Sequence, residues 1–376
     1  METLTKIAGS ASTSVTVALD WTPNTNHTGF YIALAKGFYS DAHLDVKLLS
    51  PHTDDYKVTP ASRLMDNSAQ FAITPSETVV SYHCQQKETD PCSASALSAG
   101  SATQRPPVVA VAALLADSTS AIVTLASSGL ARPAQLDGKV YASYGARYEG
   151  RIVQQMIKND GGAGKFIEST PPMLGIWHTL LKGEADATWV FMGWEGVEAR
   201  RKGVELNTFK LEDFGVAYGY SPVLVTHPDI IRDQPALVSS FLAATSKGYT
   251  WAAANPAEAA ELFLSTVSEH HAAAPAPEPL DAEMVREAQA YTSQHYIGPS
   301  GQWGMMAEAV WQDFLKWLSS QGLLTQKLQS RTPVEGVSTS LDGLREGDVG
   351  RSIPLTDLAA SSLFSNAYLP ATENCV

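Results

Sequence analysis

The sequence has few cysteines, few charges and no long hydrophobic run. Cys84, Cys92 and Cys375 are its only cysteines, and their spacing matches neither a metal motif nor a disulfide framework. The 26 Lys and Arg residues are outnumbered by 39 Asp and Glu residues, which gives a formal net charge of −13. This balance disfavours nucleic acid and acidic membranes as partners, because both attract clustered cations. A small-molecule partner is therefore the expectation.

Hydrophobic segments are short throughout the chain. No apolar run typical of a secretory signal precedes Trp21, and no stretch approaches the ~20 apolar residues of a membrane span. We therefore expect a cytoplasmic protein without membrane insertion, or an exported one if a signal segment has been removed. What the chain does have is 376 residues, 44% of them hydrophobic, with 8 Trp, 13 Tyr and 11 Phe. This is enough for two lobes of roughly 100–200 residues each.

Strand-like and helix-like segments alternate through the first part of the chain. The run VTVAL (15–19) predicts a strand, TGFYIALAKGFYSDA (28–42) a helix and LDVKLLSP (44–51) a second strand. A β-α-β unit of this kind places ligands at the carboxyl ends of its strands. The composition of residues 87–107 predicts a low-complexity surface loop. From residue 228 onward the chain is predicted to be almost wholly helical.

One aromatic stretch near the C-terminus has hydrophobic residues at helical spacing. In QWGMMAEAVWQDFLKWL (302–318) they are Trp303, Met306, Val310, Trp311, Phe314 and Leu318. A stripe at this spacing is typical of a helix packed into the core, and much less so of a cofactor site.

A polar cluster follows the first predicted strand. The stretch ALDWTPNTNHTGFY contains Asp20, Trp21, Asn24, Asn26 and His27. An indole presents a large π-face to a flat ring, and Asn and His side chains can hydrogen-bond the nitrogens and amine at the edge of that ring. The alternative is structural, with both asparagines in a turn and the histidine capping the following helix. The residues leave both interpretations open.

Four segments together resemble one known family. ALDWTPNTNHTGFYIALAKGFY, FAITPSETVVSYH, LDGKVYASYG and FMGWEGVEARRKGVELN resemble the superfamily of bacterial binding proteins for thiamine pyrimidine precursors and eukaryotic hydroxymethylpyrimidine phosphate synthases. The likeness implies the type II periplasmic-binding-protein fold, an α/β fold with two lobes, two hinge crossovers and a helical C-terminal region. The crossovers would lie near 113–120 and 215–224. Lobe one would comprise 14–114 plus 219–376, and lobe two 115–218.

The resemblance also implies a ligand site between the lobes. Trp21 would stack on a heteroaromatic ring, with Tyr144 and Trp194 completing an aromatic cage. Trp194 and Glu195 stand where a predicted strand meets a helix, and a carboxylate there can accept two hydrogen bonds from an aminopyrimidine. The alternative for Glu195 is an acidic first-turn residue that complements the helix dipole.

A turn in the second predicted lobe, ASYGARYEGR (142–151), corresponds to the Gly-rich turn that holds a phosphate in the synthase branch. Backbone N–H groups and the helix dipole bind the anion in such turns. Gly145 and Arg147 are present here, with Glu149 close by. The turn therefore predicts either a weakened phosphate site or an ordinary junction between strand and helix.

The segment AITPSETVVSYH argues against the synthase reaction. In the synthase branch it carries a Lys that forms an imine with pyridoxal phosphate and, four residues on, a His that is consumed. Thr74 and Thr78 stand at those positions, and threonine has neither an amine nor an imidazole. The Cys-rich, iron-associated segment of that branch would fall at 214–225, which has no cysteine. Ser76 and Glu77 either bind the ligand or begin a helix, and we include Thr74, Ser76 and Glu77 in the candidate site.

We therefore predict a thiamine-family protein that binds an aminopyrimidine or a pyridoxine-like ring without histidine-consuming chemistry. The alternative is a divergent synthase or a related iron-dependent enzyme. Pyridoxal phosphate and iron would be its cofactors, and Asp20, His27 and Glu195 have the residue types of a metal site. A third interpretation is an intracellular sensor or carrier. No cofactor or metal is otherwise predicted, and a homodimer is expected only by analogy.

Overall fold

The structure of the chain is a computed structural model that describes residues 12–84, 108–274, 279–331 and 338–371. The predicted loop 87–107 lies outside these residues, as do Cys92 and Cys375. In chain order the strands are β1 (Thr13–Ala18), β2 (Leu44–Leu49), β3 (Phe71–Thr74), β4 (Val109–Ala113), β5 (Ser120–Leu125), β6 (Val140–Ala142), β7 (Ile167–Ser169), β8 (Ala187–Phe191), β9 (Leu206–Phe209), β10 (Val223–Thr226), β11 (Leu328–Gln329) and β12 (Ser338–Thr339).

The same ranges contain the helices α1 (Thr28–Ala35), α2 (Phe38–Asp41), α3 (Pro60–Met65), α4 (Ser76–Cys84), α5 (Glu149–Asn159), α6 (Ile176–Leu181), α7 (Glu195–Arg201), α8 (Pro228–Asp233), α9 (Pro235–Ala254), α10 (Pro256–His270), α11 (Ala282–Thr292), α12 (Glu308–Ser320), α13 (Leu341–Arg345) and α14 (Ala360–Leu363). None of these helices is both long and apolar enough to cross a lipid bilayer.

Most of the strands form two five-stranded mixed sheets. The first has the order β2-β1-β3-β10-β4 and the second the order β7-β6-β8-β5-β9. In each sheet three neighbouring strands run parallel, and the next strand, β10 or β5, runs antiparallel to both of its neighbours. The chain passes to the second sheet through 114–119 and returns through 210–222. Both passages overlap the expected crossovers.

The parallel strands of both sheets end at the space between the sheets. Segments that follow β1, β2 and β3 line the same cavity as segments that follow β6 and β8. In β1 the buried side chains of Val15 and Val17 hold the strand in the sheet, and the strand ends just before the polar cluster that begins at Asp20. The alternation of strands and helices thus places the polar cluster at the edge of the first sheet that borders this cavity.

Helices α1 and α9 approach each other closely. A β-carbon on Gly248 would lie 2.0 Å from the carbonyl oxygen of Gly29, and a β-carbon on Gly29 would lie 2.0 Å from the ring of Tyr249. Two glycines therefore allow the helix backbones to touch. The sequence of α1, TGFYIALA, has no charged residue, which suits a helix buried along most of its length.

The C-terminal region is less helical than predicted. Helices α8 to α12 cover most of the described chain from 228 to 320, but beyond α12 the described residues are mainly loops with the short elements β11, β12, α13 and α14. Gly322, Gly347 and Pro354 interrupt this part of the chain, and such residues end helices.

The helix predicted over 302–318 begins only at Glu308. Trp303 and Met306 are buried, as the spacing predicted, but they precede the helix. Gly304 has a φ of +86°, and its carbonyl accepts a hydrogen bond from the Ala113 amide of β4. The stretch before α12 is therefore hydrogen-bonded to the first sheet. Trp303 and Met306 are buried at helical spacing although this stretch is not a helix.

The described residues 322–331 and 338–345 include contacts with segments that flank the second sheet. The Arg151 guanidinium on α5 donates to the carbonyl of Gly322 at 2.7 Å, and the Arg345 guanidinium lies 4.5 Å from the ring centre of Phe166. The predicted division into two lobes stays a prediction. These contacts join part of the C-terminal region to the second sheet, whereas the expected division assigns it to the first.

Replacing Gly248 with alanine should lower the free energy of unfolding by about 2 kcal/mol or more, because the methyl group has no space unless α1 moves away from α9. Denaturant unfolding measures this loss. Gly175→Ala is the matched control, since a β-carbon there meets nothing within 4 Å, and we expect a change of about 0.5 kcal/mol or less. Equal stability of the two variants would contradict the close helix contact.

Candidate ligand-binding site

A cavity of about 160 Å³ lies between the two sheets, and we call it the inner chamber. An apolar cavity of about 150 Å³ can hold benzene, so the inner chamber has room for a single six-membered ring. A second cavity of about 200 Å³, the outer chamber, adjoins it. The residues that line both chambers are Asp20, Tyr56, Pro75, Tyr144, Ala146 and Met173.

Most residues of the predicted site line the inner chamber. They are Asp20, Trp21, Asn24, Asn26, Glu77, Tyr144, Trp194 and Glu195. Thr74 and Gly145 line only the outer chamber. His27 and Ser76 are fully buried and line neither chamber. The fold thus gathers side chains from segments that are far apart in the sequence.

Sequence reasoning missed a further group of inner-chamber residues. They are Tyr56, Pro75, Ala146, Glu149, Met173, Trp189, Phe191, Tyr218 and Ser221. Trp189 and Phe191 alternate on β8, and Phe191 is the last residue of that strand. Because alternate residues share a face of a sheet, this pattern just before Trp194 was a usable signal. Tyr218 and Ser221 belong to the return passage, which no local pattern marks.

The polar loop between β1 and α1 is held by hydrogen bonds from residues far along the chain. The Asn24 side chain accepts from the Asn26 amide at 2.9 Å and caps the turn over Thr25–His27. The Tyr249 hydroxyl donates to the Asn26 carbonyl, and the Tyr296 hydroxyl donates to the Thr25 carbonyl, both at 2.6 Å. The turn interpretation of Asn24 is therefore correct, and the same residue also lines the inner chamber.

His27 lies behind the wall of the inner chamber and does not face it. Its Nε2 is 2.8 Å from Oδ1 of Asp20, and its Nδ1 accepts a hydrogen bond from the Asn24 amide. Nε2 therefore carries the hydrogen that is donated to Asp20. The expectation that His27 reads the edge of the ring does not match this geometry, because the side chain has no exposed surface. It orients Asp20 instead.

Two tyrosines surround Trp21. The ring centre of Tyr144 lies 5.6 Å away at an interplanar angle of 73°, and that of Tyr56 lies 6.2 Å away at 56°. Neither ring is parallel to the indole, so neither is stacked on it. Tyr56 has a φ of +58°, a strained conformation for an aromatic residue of the kind that concentrates at functional sites.

The turn before α5 is occupied by the chain's own carboxylate. Glu149 accepts hydrogen bonds from the amides of Tyr144 at 3.2 Å and Ala146 at 3.1 Å. The hydroxyls of Tyr141 and Ser143 also donate to it, at 2.8 and 3.0 Å. Two backbone amides of the expected phosphate site are therefore already paired with the Glu149 side chain.

Three buried glutamates line the inner chamber. Burial raises the pKa of Glu195 to about 7, and one of its oxygens accepts from the Phe191 amide at 3.0 Å. Burial, together with the charge of Glu149, raises the pKa of Glu77 to about 8. Burial also raises the pKa of Glu149 to about 7, against the opposing effect of its hydrogen bonds. Carboxylates in this setting are strong acceptors for N–H groups of a ligand.

The residues present do not fit the cofactors of the enzyme alternative. Among the described residues no three His, Cys, Asp or Glu side chains converge to hold a metal ion, so Asp20, His27 and Glu195 do not form the iron site considered above. No described lysine lines the inner chamber. Lys57 lines the outer chamber with its side chain 74% exposed. A buried amine that could form an imine with pyridoxal phosphate is thus missing from the described lining of the inner chamber.

Two mixed β-sheets, two connecting passages and a ring-sized cavity between the sheets are the features of an α/β ligand-binding protein. The family model described as NMT1/THI5 like matches residues 24–89 and 93–259, which is more than half of the chain. The protein belongs to the NMT1/THI5-like family.

Individual relatives agree with this assignment. The chain is 24% identical over 316 residues to the formylaminopyrimidine-binding protein of Halalkalibacterium halodurans, covering 83% of this chain and 87% of that protein. It is 23% identical over 257 residues to the 4-amino-5-hydroxymethyl-2-methylpyrimidine phosphate synthase of Legionella pneumophila subsp. pneumophila, covering 68% and 74% of the two chains.

A solved structure supports the fold. The alkanesulfonate-binding protein SsuA from Xanthomonas axonopodis pv. citri matches with a TM-score of 0.59 at 11% identity, covering 89% of this chain and 100% of that chain. The predicted family and the predicted type II periplasmic-binding-protein fold are both confirmed.

The free energy of unfolding should fall as the pH rises from about 4.5, the ordinary pKa of a glutamate, to about 8, and should level off above that. Each of the three glutamates has a folded pKa raised above its unfolded value. Their contribution is therefore complete below the unfolded pKa and is lost as the pH rises through the folded pKa of about 7 to 8. Denaturant titrations across this range measure the loss.

Glu195→Gln is the control for this pH dependence. An amide in place of the carboxyl group has no proton to lose, so the variant should lose less stability than the unmodified protein over the same pH range. A pH-independent free energy of unfolding in the unmodified protein would contradict the burial of these carboxyl groups.

Proposed function

We propose that this protein binds a small flat heteroaromatic molecule of the aminopyrimidine or pyridoxine type in the inner chamber, without consuming a histidine of its own chain. The observation that carries the proposal is the meeting of Trp21 and Glu195. They come from opposite sheets and line one ring-sized cavity. In the proposed complex Trp21 stacks on the ring and Glu195 accepts hydrogen bonds from its amine.

The charge of the inner chamber supports an N–H-rich ligand over an anionic one. Asp20, Glu77, Glu149 and Glu195 are the acidic side chains of its described lining, which includes no Lys, Arg or His. SsuA is named for binding alkanesulfonates, and an anion of that type would find no cationic side chain in this described lining to pair with. The relative named for binding formylaminopyrimidine covers most of this chain. Closure of the lobes on the ligand, a cytoplasmic location and a homodimer stay predictions.

Trp21→Ala should weaken binding of 4-aminopyrimidines by about 10- to 100-fold, because stacking on an aromatic side chain is worth roughly 1–3 kcal/mol per base. Isothermal titration calorimetry with formylaminopyrimidine, 4-amino-5-hydroxymethyl-2-methylpyrimidine and pyridoxine measures the effect. Trp251→Ala is the matched control, since Trp251 lies on α9 under the Lys36 ammonium and lines neither chamber.

Each outcome of this titration bears on the proposal. Tight binding of a pyrimidine or of pyridoxine that is lost in Trp21→Ala and kept in Trp251→Ala would support it. Preferential binding of an alkanesulfonate, or an affinity that does not change in Trp21→Ala, would contradict it.

A further inference from the structure

The outer chamber is lined partly by residues from the C-terminal region. Gln329, Ser330 and Arg331 belong to its lining, and we call residues 329–331 the C-terminal strap. The match to the family model ends at residue 259. The strap is therefore a contribution to the cavities from a part of the chain beyond that match.

The C-terminal strap lies directly against the turn before α5. The Gln329 amide donates to the Arg147 carbonyl at 3.3 Å, and the Gly150 amide donates to the Gln329 side chain at 3.1 Å. A β-carbon on Gly150 would lie 2.6 Å from Oε1 of Gln329, and a β-carbon on Gly145 would lie 3.0 Å from that of Arg331. Two glycines thus allow the strap and the turn to come into close contact.

Arg331 joins two loops at the edge of the second sheet that borders the cavities. Its guanidinium donates to the carbonyls of Ser143 at 3.1 Å and Tyr144 at 3.2 Å, in the loop that follows β6. It also donates to the carbonyls of Pro171 at 2.6 Å and Thr170 at 3.5 Å, in the loop that follows β7. Because β6 and β7 are parallel neighbours, both loops leave the sheet at the same end. One side chain from far along the sequence therefore holds both loops.

Tyr144 is held by hydrogen bonds on both sides of its backbone. Its amide donates to Glu149 at 3.2 Å, and its carbonyl accepts from Nε of Arg331. The Tyr144 ring lines both chambers and lies edge-on to Trp21. A fixed backbone gives this ring a fixed starting point, which lowers the entropy lost when a ligand packs against it.

We propose that the C-terminal strap is part of the ligand site and that Arg331 is a positioning residue, which fixes the backbone of Tyr144 so that the Tyr144 ring meets the ligand held beside Trp21. This inference rests on the proposed function, since it assumes that a flat ring occupies the inner chamber. It extends that function to a segment beyond the family match and to a residue that acts through another.

Arg331→Met should weaken binding of 4-amino-5-hydroxymethyl-2-methylpyrimidine by about 10-fold in calorimetry, because four carbonyls of the two loops lose their donor. Arg331→Lys keeps a cation with three donors and should weaken binding by about 3-fold. A thermal melt of each variant establishes that it is folded, and Arg331→Lys carries the test if Arg331→Met does not fold.

Arg345→Met is the matched control. Arg345 also lies in the C-terminal region and donates to a backbone carbonyl next to the second sheet, that of Phe166 at 2.9 Å. It lines neither chamber. We therefore expect this substitution to leave the affinity for the pyrimidine unchanged.

A double-mutant cycle separates positioning from a general loss of packing. Tyr144→Ala removes the ring that Arg331 positions, so the effects of the two substitutions on affinity should not add. Arg331→Met should weaken binding by about 10-fold when Tyr144 is present and by about 2-fold or less in the Tyr144→Ala background. A merely structural role of Arg331 would give the same factor in both backgrounds.

Hydrogen exchange tests the same contact without a ligand. The amides of Tyr144, Gly145 and Ala146 each donate to a side chain within the loop or at the start of α5. Loosening of this loop in Arg331→Met should accelerate exchange in a peptide spanning 140–150, whereas Arg345→Met should leave the exchange unchanged.

The results separate this inference from the proposed function. Failure of every pyrimidine to bind the unmodified protein would overturn the proposed function and this inference with it. Pyrimidine binding that the Arg331 variants leave unchanged, additive effects in the cycle with Tyr144→Ala, or unchanged exchange at 140–150 would overturn only the inference about Arg331.

Discussion

The contact between α1 and α9 fixes the position of the ligand-facing loop. Gly29 and Gly248 let the two helices touch, and this places the Tyr249 ring against α1 with its hydroxyl 2.6 Å from the Asn26 carbonyl. The turn that follows Trp21 is therefore anchored by a helix that lies more than 200 residues further along the chain. Anchoring of this kind lowers the entropy lost when a ligand binds beside the turn.

The acidic lining of the inner chamber has a cost in stability. Buried carboxyl groups with raised pKa values destabilise the folded chain as they ionise, and under the proposed function Glu195 accepts hydrogen bonds from the ligand. Glu149 is the exception among them, because four hydrogen bonds hold its carboxylate in the turn before α5. One acid thus shapes the turn, while Glu77 and Glu195 line the inner chamber without being part of that turn.

Several features could be predicted from the sequence because they depend on local patterns. The strand before Asp20, the alternation of strands and helices and the junction at Trp194 follow from the periodicity of hydrophobic residues. The prediction of a helix from residue 302 was wrong for the residues before Glu308, because Gly304 pairs with Ala113 of β4 there. The metal set of Asp20, His27 and Glu195 was also wrong, since residue types alone do not show that side chains converge.

The sequence by itself determined the fold class, the family and which short segments carry aromatic and acidic residues, because these depend on periodicity and on segments that resemble known ones. Only the tertiary structure decided what each polar residue does. His27 turns toward Asp20, Glu149 fills the turn before α5, and Oε2 of Glu77 is buried without a hydrogen-bond partner. These outcomes depend on hydrogen bonds and burial between distant segments, which no local pattern encodes.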